Sequence, residues 1–155
     1  MSENEEKEKE KGSRLVLSKK MSESTKHWKI KVDDLTRRIR EDKLMDVVDI
    51  QAEAISHRQD IVEEVRKYSV IIYKSVQKMK GLQKSRFEFY ATSYQVKTNG
   101  TEKLKLIEAD LSEYQCFIDE LDEHVTFLRE TSKNFDNINY AVKNKIELAN
   151  ILGTT

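Results

Sequence analysis

The stretch LKLIEADLSEYQCFIDELDEHVTFLRETSKNFDNINYAVKNKIELA, Leu104 to Ala149, decides the fold. Steps of three and four from Leu104 land on Ile107, Leu111, Tyr114, Ile118, Leu121, Val125, Leu128, Ser132, Phe135, Asn139, Val142, Ile146 and Ala149, so 12 of these 14 positions are apolar. Apolar side chains at that spacing share one helix face, and a heptad pattern held so long predicts a coiled-coil or bundle seam. The polar positions Ser132 and Asn139 flank an Asn-rich run (Asn134, Asn137, Asn139). Two readings stand there: a kink or break into an αα-hairpin, or buried Asn setting register and oligomer number. After Ser132, the residues Ile138, Leu148, Ile151 and Leu152 add a second apolar side. A helix apolar on more than one side needs several neighbours, which points to self-assembly.

Composition agrees with long helices. The 155 residues contain no proline and four glycines, and 36% are charged, with 28 Lys+Arg against 28 Asp+Glu. That is the composition of helices with solvated faces, thin in apolar residues for a monomer that buries its own core. The expected class is all-α: long amphipathic helices, an antiparallel helical hairpin, and C-terminal heptad-rich oligomerisation helices. The single cysteine, Cys116, cannot form an internal disulfide, and no 18-residue apolar run or secretory apolar segment is present. The chain therefore reads as soluble, intracellular and without a membrane partner.

Working outward from the seam, QVKTNGTEK (residues 95–103) holds the one Asn-Gly and reads as a turn, placed at 96–103. Before it, Ile61, Val65, Tyr68, Ile72, Val76, Met79, Phe87 and Tyr90 follow helical spacing from about Gln59 to Tyr94. Gly81 is the weak point of that helix. Two helices joined at the turn run antiparallel. Further upstream, Asp33 or Asp34 is a candidate cap, Leu35, Ile39, Val47 and Ile50 offer an apolar side, and a break is expected near Asp42 or Asp46. Residues 1–28 are dominated by alternating Glu and Lys and read as a disordered charged tail. The organisation is then 1–28 tail, 29–95 N-terminal helical region, 96–103 turn and 104–153 C-terminal helical oligomerisation region. In the last, Leu121, Val125, Leu128, Phe135, Val142 and Ile146 are the candidate assembly residues.

Charge is segregated. Val65 to Phe87 carries Arg66, Lys67, Lys74, Lys78, Lys80, Lys84 and Arg86 and no acid, a block of +7. Ile107 to Glu130 carries eight acids against Arg129 alone, a block of −7. A zero total argues against a nucleic-acid partner, but a polyanion responds to the field within roughly 10 Å, so the basic block suffices to recruit one. On a helical wheel Lys67, Lys74 and Lys78 lie opposite the apolar side, as a solvated face. Lys80 and Lys84 pair at i, i+4 on the flank, while Arg86 points near the apolar side.

After these cations comes Phe87-Glu88-Phe89-Tyr90, with Tyr94 one turn on. Cations beside aromatics suit single-stranded nucleic acid, because phosphates want charge and unstacked bases want a flat apolar surface. Spacing alone favours the plainer reading, in which Phe87 and Tyr90 are core anchors. Whether Phe87, Phe89 and Tyr90 stack on bases or on each other stays open.

No catalytic or metal constellation is legible. His27, His57 and His124 are isolated, Cys116 lies eight residues from His124, and no Cys-x-x-Cys, His-x-x-x-His or Gly-x-x-x-x-Gly-Lys motif occurs. No cofactor is expected. Asp119 and Asp122, one turn apart among other acids, read as solvated surface rather than an acid/base pair. Asn99-Gly100-Thr101 matches a glycosylation sequon and is read as turn.

The run Lys84-Ser85-Arg86-Phe87-Glu88-Phe89-Tyr90 resembles the Lys-x-Arg-apolar-acid-aromatic-Tyr motif of the UvsY family, recombination mediators of T-even-like phages. Upstream, Asp34-Leu35 through DKLMDVVDIQAEA (Asp42 to Ala54) is similar to the family's opening, where an Asp precedes a Leu/Ile-Gln-x-Glu-Ala helix start. Downstream, Tyr140-Ala141-Val142-Lys143-Asn144-Lys145-Ile146-Glu147 and Gly153 are similar to its terminal signature. The resemblance covers about Val32 to Gly153, while the N-terminal tail is longer than the family minimum. It implies a helical, ring-like homo-oligomer of roughly six or seven subunits that binds single-stranded DNA in the host-cell cytoplasm. Such proteins help displace a single-strand-binding protein and assist a RecA-like recombinase to assemble. By motif, Lys84 and Arg86 correspond to the family's DNA contacts; Lys80, Phe89 and Tyr90 complete the candidate site. The alternative from another class is a helical structural or scaffolding oligomer without DNA affinity, whose basic block pairs with a neighbour's acidic block. A membrane-fusion adaptor ranks below it, for want of an anchor or a terminal lipidation Cys.

Overall fold

A computed structural model describes residues 3–41, 46–94, 96 and 99–153, which form three helices: α1 (Glu3–Glu41), α2 (Val47–Thr92) and α3 (Gly100–Leu152). The protein is all-α, with no strand among the described residues. Absence of proline lets each helix run long, and α2 continues through Gly81 without interruption. Helix α3 likewise continues through Ser132 and Asn139, so the chain does not break into an αα-hairpin there. Both side chains are half-buried, while their seam neighbours Leu128, Phe135 and Val142 are fully buried.

The N-terminal residues form a helix where a disordered tail was expected. Apart from Met1 and Ser2, which lie outside the described residues, residues 1–28 belong to α1. Its charges alternate at helical spacing, as in the Arg14–Glu10 pair at 3.1 Å. Above all, Met21, Trp28 and Leu35 recur every seven residues and all three are buried. Asp34, a candidate cap, sits inside α1 and binds Arg37 at 2.8 Å. A break was expected near Asp42 or Asp46: α1 is described to Glu41 and α2 from Val47, with Asp46 in a 3-10 turn and Asp42 outside the described residues.

Within the 96–103 turn, Lys97 and Thr98 lie outside the described residues, and α3 already begins at Gly100. Its start is a reciprocal capping box: Asn99 Oδ1 accepts from the Glu102 N–H at 2.8 Å, and Glu102 Oε2 accepts from the Asn99 N–H at 2.9 Å. Its end is set by Gly153, whose φ of +64° is the left-handed conformation that closes helices and suits glycine.

The chain divides into two compact units, and the division falls inside α2 and α3 rather than at the turn. Unit 1 comprises the chain up to Arg66 together with His124 onward. Its core draws on all three helices: Met21, Trp28 and Leu35 from α1, Val47, Ile50, Ala54 and Ile61 from α2, and Val125, Leu128, Phe135, Ile138 and Val142 from α3. Arg38 grips both Glu53 oxygens at 3.0 and 2.8 Å, and Arg58 meets Asp136 at 2.7 Å. Lys145 donates to the Ile39 carbonyl at 2.6 Å, a cation at the C-terminal end of α1 where helix carbonyls lack partners. Unit 2 is Lys67–Glu123. Tyr90, Ile107 and Leu111 form a buried cluster there, with Met79, Leu82 and Leu106 packed against it.

Candidate nucleic-acid interface

The buried side of α2 in unit 2 is set by Tyr68, Ser75 and Tyr90, with Met79 and Leu82 half-buried beside them. Residues half a turn away must face out. Lys80 and Lys84 do so: both are exposed, and neither is ion-paired with an acid among the described residues. Lys67, Lys74 and Lys78 are exposed as well, as the wheel suggested.

Phe87 departs from the expectation of a shared face with Tyr90. It falls roughly 100° from the centre of the buried side and is 52% exposed. Phe89 is 42% exposed, yet it is not a free ring: its centroid lies 5.2 Å from that of Tyr90 and 6.2 Å from that of Tyr94. Tyr90 and Tyr94 meet edge to face at 5.0 Å. The alternative left open by sequence thus divides. Phe89, Tyr90 and Tyr94 pack against one another, edge-on or tilted, while Phe87 presents open surface.

Tyr90 and Arg86, both candidate DNA contacts, converge instead on one carboxylate. Tyr90 is 8% exposed and its hydroxyl donates to Asp110 Oδ2 at 2.8 Å; Arg86 Nε stands 3.5 Å from the same oxygen. The Asp110 hydrogen bond, with desolvation, pushes the Tyr90 phenol above its ordinary pKa, because the carboxylate holds the proton on the hydroxyl. Arg86 remains partly accessible, with 41% of its side chain exposed. Of the predicted set, Lys80, Lys84 and, in part, Phe89 and Arg86 reach solvent, whereas Tyr90 is a core residue.

The candidate assembly residues fare differently from a free surface. Leu121, Val125, Leu128, Phe135 and Val142 are buried within the single chain, and Ile146 is half-buried. Apolar positions left open in unit 1 include Val48, Ile55 and Val62, seven residues apart on α2.

A polar cluster in unit 1 went unread in the sequence. Glu64 accepts from Ser24 Oγ at 2.5 Å and from Trp28 Nε1 at 2.8 Å, with His124 Nε2 3.8 Å away. Thr25 Oγ1 lies 3.4 Å from His124 Nδ1. Partial burial pushes the Glu64 carboxyl up, but the partners His124, Ser24 and Trp28 outweigh it and bring the pKa down to about 2. His57 sits between Trp28 and Phe135, at 5.8 and 5.5 Å between ring centroids, and burial lowers its pKa below 6.5. No residue spacing signals this cluster, since its members come from three helices.

Comparison with protein-family models, curated proteins and solved structures returns no match for this chain. Among the described residues no helix is long and apolar enough to cross a membrane, and no group of three or more His, Cys, Asp or Glu could hold a metal ion.

Proposed function

We propose that this protein is a non-enzymatic recombination mediator that binds single-stranded DNA and helps load a RecA-like recombinase onto strands covered by single-strand-binding protein. The single observation that carries the reading is the pairing of unneutralised Lys80 and Lys84 with the outward ring of Phe87 on α2. Cations take the phosphates and the ring takes a base, the stacking alone being worth about 1–3 kcal/mol per base. The motif resemblance around Lys84 to Tyr90 supplies the recombination setting, and the acidic residues of α3 leave that arm to protein partners rather than DNA. The chain works as a homo-oligomer in the host-cell cytoplasm, with α2 and α3 as an antiparallel hairpin and the heptad helices as the frame. Repetition of a weak site around the assembly multiplies affinity by avidity.

Lys80→Ala/Lys84→Ala tests this. Binding of a labelled single strand should weaken and its salt dependence flatten by about 0.7 log unit per log salt for each phosphate contact removed. Oligomer mass should stay unchanged. Wild-type affinity and salt slope in the double variant would overturn the reading and favour the scaffold alternative.

A further inference from the structure

The outward face of α2 in unit 2 is more ordered than the DNA-binding reading requires. Tyr73, Gln77, Lys80, Lys84 and Phe87 follow one another at steps of four, three, four and three, and every one is exposed. At 100° per residue they share an arc of roughly 80°, centred roughly 125° from the side that holds Ser75, Met79 and Tyr90. Tyr73 is the outlier: an aromatic residue 66% exposed in mid-helix, with no ring, hydrogen-bond or ion-pair partner among the described residues. A large apolar ring held in water by a regular helix gains nothing from the fold. It has the same exposure pattern as Phe87 at the other end of the row.

We infer that Tyr73 is a second base-stacking platform, and that a single strand lies along the α2 axis from Tyr73 to Phe87 with its phosphates over Lys80 and Lys84. This rests on the DNA-binding reading above and specifies its ligand. Fourteen residues of helix span about 21 Å at 1.5 Å each. A strand stretched to twice the duplex rise of about 3.4 Å covers that distance in three to four nucleotides. The row therefore fits a short unpaired segment per chain, with a flat ring at each end and two cations between. A duplex, whose bases are already stacked, offers nothing to either ring.

The test compares Tyr73→Ala and Tyr73→Phe with wild type, using fluorescence anisotropy of a labelled oligothymidine across a salt series. Tyr73→Ala should weaken binding at least about fivefold with the salt slope unchanged, since no phosphate contact is lost, and Tyr73→Phe should bind as wild type. Circular dichroism should show equal helix content in all three, as the Tyr73 side chain is 66% exposed. Tyr73→Ala binding as wild type, while Lys80→Ala/Lys84→Ala binds weakly, would overturn the platform and leave the DNA-binding reading intact. A wild-type chain without single-strand affinity would overturn both.

Discussion

Trp28 Nε1 donates to Glu64 Oε2 at 2.8 Å, tying the chain's one tryptophan, on α1, to a carboxylate on α2. Ser24 holds the other oxygen at 2.5 Å and His124 of α3 stands 3.8 Å off, so one acid links all three helices of unit 1. A carboxyl held at about 2 in the fold and near 4.5 when unfolded contributes stability that is fully present above pH 4.5 and is lost as pH falls toward 2. The contribution is at most about 3 kcal/mol, less what solvent screening removes. Glu64→Gln should be less stable than wild type at pH 7, by about 1–3 kcal/mol, with the gap closing toward pH 3. Urea unfolding at both pH values measures it.

His57 titrates in the opposite sense from a stabilising histidine. Its folded pKa lies below 6.5, chiefly because burial beside Trp28 and Phe135 disfavours the cation, with Lys31 adding to the effect. The unfolded chain therefore takes up the proton first, and stability falls as pH drops through 6.5. His57→Phe keeps a ring between Trp28 and Phe135 and should remove that part of the pH dependence. Thermal melts at pH 7.5 and 5.5 compare the two proteins.

Two local substitutions in the helices carry opposite signs. Gly81→Ala adds a Cβ that meets nothing within 4 Å, so it should stabilise by up to about 1 kcal/mol. Asn99→Ala removes the acceptor for the Glu102 N–H and should cost about 1 kcal/mol. Denaturant midpoints at constant slope read both.

Assembly and folding can be separated by choice of residue. Leu128 is fully buried, so Leu128→Ala should destabilise the chain by about 2–5 kcal/mol. Ile55 and Val62 are exposed on α2, and Ile55→Lys/Val62→Lys should leave helix content and stability unchanged, while a lower mass would place a contact of the proposed oligomer on that row. Sedimentation velocity with circular dichroism distinguishes these outcomes.

The seam from Ile107 to Val142 was legible because burial of one face forces a heptad period, and most of its positions are indeed closed. The same signal lay in Met21, Trp28 and Leu35, but a boundary drawn on composition cut that repeat at its middle residue, and charged flanks obscured the rest. At the candidate site, Lys80 and Lys84 were legible as a free flank, whereas the role of Tyr90 depends on Asp110, 20 residues away on another helix. Phe87 was misassigned because three-residue steps drift by 60° each time they are not balanced by a step of four. Sequence spacing locates a helix's own faces; it does not tell which face a second helix covers.

Single-strand recognition is proposed for the Lys80–Lys84–Phe87 face of α2. Fluorescence anisotropy of labelled single-stranded and duplex oligonucleotides of equal length, titrated with the wild-type protein across a salt series, tests it most directly. Tighter binding to the single strand is expected at every salt concentration, with log affinity falling linearly against log salt. Equal affinity for both forms, or none for either at moderate salt, would contradict it.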